Sequence, residues 1–173
     1  MNFLKTSFFS IIGTAINLVT KLITNKIVAV YLSTEGMFLL GQLKDFLKVS
    51  QVISNAGTVN GTIKYTAEYQ HHETQFKVIL GTSFKIHFYF SVIVLLVLFV
   101  FNESLSYYLF KNTNYANFLI VLGFSIVGVS IQTLFLSILN GLGRVKVYVL
   151  INIISAILGA IIMIFLILNF GIK

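Results

Sequence analysis

The chain has 173 residues, of which 57% are hydrophobic and 10% charged, against ~25% charged in ordinary soluble domains, so it is built for lipid. The formal charge of +7 does not point to nucleic acid, because the lysines are dispersed through apolar runs rather than gathered on one soluble face. Cysteine is absent, which excludes disulfides, cysteine-ligated zinc and thiol catalysis.

A membrane span needs ~20 predominantly apolar residues. In chain order the segments that qualify are 8–31, 37–56, 79–101, 118–139 and 147–168. The expectation is a single all-α integral membrane domain of about five transmembrane helices. The turn Ser33-Thr34-Glu35-Gly36 separates the first two spans, and Asn140-Gly141-Leu142-Gly143-Arg144 the last two. The longer linker 57–77 is polar and reads as an amphipathic cytoplasmic surface helix, and 102–117 is rich in tyrosine and asparagine. With proline and tryptophan absent, 8 tyrosines and 17 phenylalanines are left to form the interfacial aromatic belts.

Lysine and arginine set the orientation. With the N-terminus in the cytoplasm, Lys5, Lys64, Lys77, Lys85, Arg144 and Lys146 lie inside, whereas Glu35, Glu103, Lys111 and Lys173 lie outside. The first span carries interior lysines and no small-residue cleavage site, so it reads as a retained span and not as a signal peptide.

Charges inside the first two spans are the main functional signal. An ionisable side chain at membrane depth costs roughly 2.5–3.5 kcal/mol, and it persists where it meets water, substrate or a partner. In the first span Ser7, Ser10, Thr14, Asn17, Lys21 and Thr24 recur at alternating spacings of three and four, which places them on one helical face, with Lys26 off that stripe. In the second span Gly41, Lys44, Lys48, Gln51 and Asn55 repeat the pattern, with Asp45 beside them. Two consecutive polar seams suit a shared hydrated cavity, and their positive excess favours an anionic cargo such as a phosphate or pyrophosphate. The plainer alternatives are snorkelling by Lys26, neutralisation of a lysine by Asp45, and close helix packing by the small residues. In the fourth and fifth spans Ser125, Gly128, Asn152, Ser155 and Gly159 read as packing positions, with Gln132 as a candidate for cavity lining.

No catalytic set is present in the sequence. There is no P-loop, and Gly141-Leu142-Gly143 lacks the third glycine and preceding strand of a dinucleotide site. His71 and His72 are adjacent and diverge, and His87 stands isolated near the inner interface, so no metal and no cofactor is implied. Carboxylates are few and scattered, which speaks against an enzyme.

The stretch Lys26-Ile-Val-Ala-Val-Tyr31-Leu-Ser-Thr-Glu35-Gly36 resembles the end of the first span in bacterial polysaccharide flippases. These are the O-antigen translocases (Wzx-type) and lipid III flippases, within the multidrug/oligosaccharidyl-lipid/polysaccharide exporter superfamily. Asn60-Gly61-Thr-Ile-Lys64-Tyr65-Thr-Ala67-Glu68-Tyr69, Gly81-Thr82-Ser83 and Leu109-Phe110-Lys-Asn112-Thr113-Asn-Tyr115 are similar to later segments in the same register. The resemblance implies translocation of an undecaprenyl-pyrophosphate-linked oligosaccharide, such as an O-antigen unit, from the inner to the outer leaflet of the bacterial cytoplasmic membrane. It implies as partners the lipid-linked oligosaccharide pyrophosphate, membrane lipids, a polysaccharide polymerase and a chain-length regulator.

By the same resemblance Lys44 is the first basic residue expected to meet the substrate, Lys26 the second, and Lys64 a contact at the inner mouth. Lys21, Lys48, Asn17, Asp45 and Gln51 join the cavity set from the stripes alone. Such flippases have two lobes and about twelve spans. This chain matches most of the N-terminal bundle without its last helix and second lobe, which implies a fragment or truncated reading frame. The alternatives are a non-transporting scaffold of a polysaccharide-assembly complex, an inactive remnant, and a cation-coupled drug exporter, which the lysine excess disfavours.

Overall fold

A computed structural model describes residues 3–31 and 34–170. Ser33 of the first expected turn, and Lys173 at the expected outer end, fall outside the described residues, as do the side chains of Lys5, Ser7 and Glu35. The described residues form α1 (Phe3–Tyr31), α2 (Thr34–Ser54), α3 (Val59–Tyr69), α4 (Glu73–Val100), α5 (Asn102–Phe110), a 3-10 turn (Thr113–Tyr115), α6 (Ala116–Gly141) and α7 (Val145–Phe170). No strand occurs among them, and the protein is an all-α, multi-pass membrane protein.

Among the described residues four helical stretches are long and apolar enough to cross a bilayer: Phe8–Tyr31, Glu73–Val100, Thr113–Gly141 and Val145–Phe165. α2 has 21 residues but is not in that set, because Lys44, Asp45 and Lys48 occupy its middle. α4 starts at Glu73, six residues before the apolar run at 79. An acidic residue in the first turn favours the positive end of the helix dipole, and Lys77 Nζ pairs with Glu73 Oε1 at 2.6 Å one turn on. The linker after α4 also coils into a short helix, α5, which Lys111 ends in the left-handed region at φ 53°.

The chain divides into two compact units, Met1–Leu40 with Arg144–Lys173, and Gly41–Gly143. In the first, α1 packs along α7. Gly13 is buried where a Cβ would overlap Val149 Cγ1, so the missing side chain sets how closely the helices approach. Val28 is buried further along α1, and Lys146 Nζ lies 5.1 Å from the centre of the Phe9 ring.

In the second unit α3, α4 and α6 pack together, and α5 packs on α6 and α4. Lipid tails are as apolar as leucine, so helices in a membrane associate through close fit and internal hydrogen bonds rather than apolar burial. The buried faces are accordingly small and polar. α3 contributes Thr62 and Thr66; α4 contributes Ser83, His87 and Ser91; α6 contributes Gly123, Ser130, Ser137 and Gly141. Val94, Leu98 and Ile126 form the apolar part of this core, with Phe46 and Leu47 of α2 and Leu105 of α5 against it. α3 is therefore more than a surface helix, since one of its faces is closed by α4 and α6.

Candidate functional site

The polar face of α1 divides in two. Thr14 Oγ1 donates to Ser10 O at 2.9 Å, Asn17 Nδ2 to Gly13 O at 3.0 Å and Thr24 Oγ1 to Thr20 O at 2.7 Å. These groups satisfy their donors on their own helix, as short polar side chains do four residues along a helix. Asn17 and Thr24 are half-buried, whereas Lys21 on the same stripe is exposed. Lys26 is also exposed, but five residues at about 100° each put it about 140° around the helix from Lys21. Lys21 and Lys26 do not converge.

On α2 the charges stand out from the packed side. Phe46 and Leu47 turn to the core and Ser50 and Ser54 are buried, while Lys44, Asp45 and Lys48 are exposed. Lys48 Nζ donates to Asp45 Oδ1 at 2.9 Å with the two side chains 74% and 76% exposed. Lys44 lies one turn before Lys48 on the same face, and Gln51 is half-buried one turn beyond. Asp45 thus neutralises one lysine of the row. The positive face at Lys44 and Lys48 can hold an anionic group by charge and by the ammonium donors.

Lys64 is exposed on α3 with its ammonium 5.4 Å from the Tyr65 ring centre, and Tyr65 stacks on Tyr69 at 6.4 Å. The negative charge of Glu68 raises the Tyr69 phenol above its ordinary value of 10.0.

A second polar cluster, which sequence reasoning missed, lies inside the unit 41–143. His87 is fully buried and far from isolated. Its Nδ1 is 3.2 Å from both Ser130 O and Ser130 Oγ, and its Nε2 is 3.3 Å from Thr58 Oγ1. Ser130 Oγ donates to Asn55 Oδ1 at 2.9 Å, with Ser54 O at 3.2 Å, and Thr58 Oγ1 donates to Asn55 O at 2.8 Å. Asn55 is the last residue of the α2 polar seam, so that seam ends in buried structure. The signal available in the sequence was the four-residue spacing of Ser83, His87 and Ser91 on an otherwise apolar helix. Among the described residues no three histidine or carboxylate side chains gather to hold a metal ion.

The MatE family model matches residues 62–165, from α3 into α7. The chain is 27% identical over 141 residues to the lipid III flippases of Escherichia coli (strain K12) and Shigella flexneri. Those alignments cover 82% of this chain and 34% of the relatives, so the chain spans about a third of their length. No solved structure matches it significantly.

Proposed function

The chain belongs to the MatE family, and we propose that it forms part of a flippase that carries a polyprenyl-diphosphate-linked oligosaccharide from the inner to the outer leaflet. The observation that carries this reading is the exposed lysine face of α2, Lys44 and Lys48, on a chain similar to lipid III flippases over most of its length. A diphosphate headgroup resists entry into hydrocarbon because its charge loses hydration. Lysines along a hydrated face replace part of that hydration while the polyprenyl tail stays in lipid.

In this reading α2 is a fifth span whose charged face lines water. Gln51 of α2 adds polar lining, and Lys64 and Tyr65 of α3 meet the headgroup or its sugars at the inner mouth. The N-terminus is cytoplasmic in the cytoplasmic membrane, supported by the lysine and arginine bias of the segments around α3, the start of α4 and the start of α7. The cargo is an undecaprenyl-linked unit of a surface polysaccharide of the O-antigen type.

The test is deletion of the gene in its own host. Accumulation of a lipid-linked oligosaccharide on the inner leaflet, with loss of one surface glycan, is the expected result. Unchanged glycan and unchanged intermediate would overturn the reading in favour of a scaffold.

A further inference from the structure

We propose that Lys85 and Thr82 of α4 bind the phosphate of an anionic phospholipid, in the headgroup layer at the N-terminal end of that helix. Lys85 stands two residues before His87, and at about 100° each this sets it about 160° around the helix from the buried line Ser83, His87 and Ser91. Lys85 is exposed, and so are Tyr89, Ile93 and Leu96 along the same side. Beyond the lysine and the tyrosine this side of the span is apolar, which suits acyl chains and not a hydrated cavity.

Lys85 lies eight residues, about 12 Å, further along α4 than Lys77. Lys77 belongs to the polar first turns and is paired with Glu73, as Lys48 is with Asp45. No ion pair or hydrogen bond reaches Lys85 among the described residues. Side chains on an α-helix lean towards its N-terminus, so the lysine stem starts back towards Gly81 and Thr82, one turn earlier. Both are exposed, and even a Cβ at Gly81 would meet nothing within 4 Å, which leaves the way open. A lysine set a turn inside the hydrocarbon edge brings its ammonium to the headgroups by this route. Thr82 adds a second unused donor. Thr14, Thr24 and Thr133 each donate to a carbonyl four residues back, whereas the Thr82 hydroxyl makes no hydrogen bond among the described residues.

A phosphodiester supplies what both groups lack: a counter-charge for the ammonium and an acceptor for the hydroxyl. An anionic lipid is favoured over a zwitterionic one, because the ammonium of the latter already offsets its phosphate. With the phosphate on Lys85 and Thr82, an acyl chain lies along Tyr89, Ile93 and Leu96. The site depends on neither the cargo nor the direction of insertion, and it stands or falls apart from the flippase reading.

Because the chain has no tryptophan, Ile93→Trp places one fluorophore on the side that the acyl chain covers. The experiment compares its quenching by dibromo-acyl phosphatidylglycerol and by dibromo-acyl phosphatidylcholine, each as the same small fraction of phosphatidylcholine vesicles holding the chain. The expected result is an enrichment of phosphatidylglycerol at the tryptophan of about fivefold. Lys85→Gln should bring that ratio to one, Lys85→Arg should keep it, and Thr82→Val should lower it. Leu158→Trp, exposed on α7 in a chain without Ile93→Trp, should show no preference. Equal quenching by the two lipids, a preference that survives Lys85→Gln, or the same preference at Leu158→Trp would overturn the proposal. So would displacement of the lipid by equimolar undecaprenyl diphosphate, which would make Lys85 a cargo contact.

Discussion

Gly141 of α6 sits directly against Thr66 of α3: a Cβ at position 141 would lie 2.7 Å from Thr66 Cβ and 2.7 Å from Ile63 O. A backbone carbonyl cannot step aside as a flexible side chain can, so the contact fixes how near the helices come. The sequence reads Gly141 as turn chemistry, yet it lies within α6, and the left-handed residue beyond the helix is Gly143, at φ 66°. Gly141→Ala is expected to destabilise the protein by about 1–3 kcal/mol through overpacking. Thermal unfolding in micelles measures it, and Gly128→Ala, where a Cβ meets nothing within 4 Å, is the control expected to be neutral or stabilising.

The pair Lys48–Asp45 reports whether the charged face of α2 is wet. Both side chains are largely exposed, so in water Asp45→Asn should cost about 0.2–1 kcal/mol. On a face closed against dry partner helices, removing one member of the pair costs about 3–5 kcal/mol. Equilibrium unfolding of Asp45→Asn in lipid bicelles separates the two, and the hydrated-face reading expects the smaller value.

Tyr69 gives a pH dependence outside the spans. Glu68 holds its phenol above 10.0, so the folded state favours the protonated form. The stabilisation is present in full below the unfolded phenol value and is lost as pH rises through the folded one. Phenolate absorbance should therefore appear at lower pH in Glu68→Gln than in the parent, read against Tyr69→Phe to assign the signal.

The helices were largely legible in the sequence, and the destinations of their polar side chains were not. Apolar runs marked the elements that became α1, α4, α6 and α7, because a long apolar stretch has few structures open to it in lipid. Their starts were less visible, since α4 begins in the polar stretch at Glu73, where a first-turn carboxylate carries it. The stripe on α1 was legible as a period, but a period cannot show that Thr14, Asn17 and Thr24 would turn back onto their own carbonyls. His87 and Ser130 are 43 residues apart, and Ser130 and Asn55 are 75 apart. Pairings at that distance are set by tertiary packing, so no local pattern announces them. The lysines of α2 were legible as charges out of place, and the structure adds that Asp45 is tied to Lys48.

The central claim is that Lys44 and Lys48 on the exposed face of α2 carry the anionic headgroup across the membrane. It is tested most directly by measuring, in vesicles holding the full protein, how fast a fluorescent oligosaccharide-diphosphate lipid crosses between leaflets. Lys44→Ala is expected to slow crossing about tenfold or more, because a contact to a charged group is lost, and Lys44→Ala/Lys48→Ala further. Lys77→Ala, a surface lysine paired with Glu73, should leave it unchanged. Crossing at the parental rate in the double variant would contradict the account.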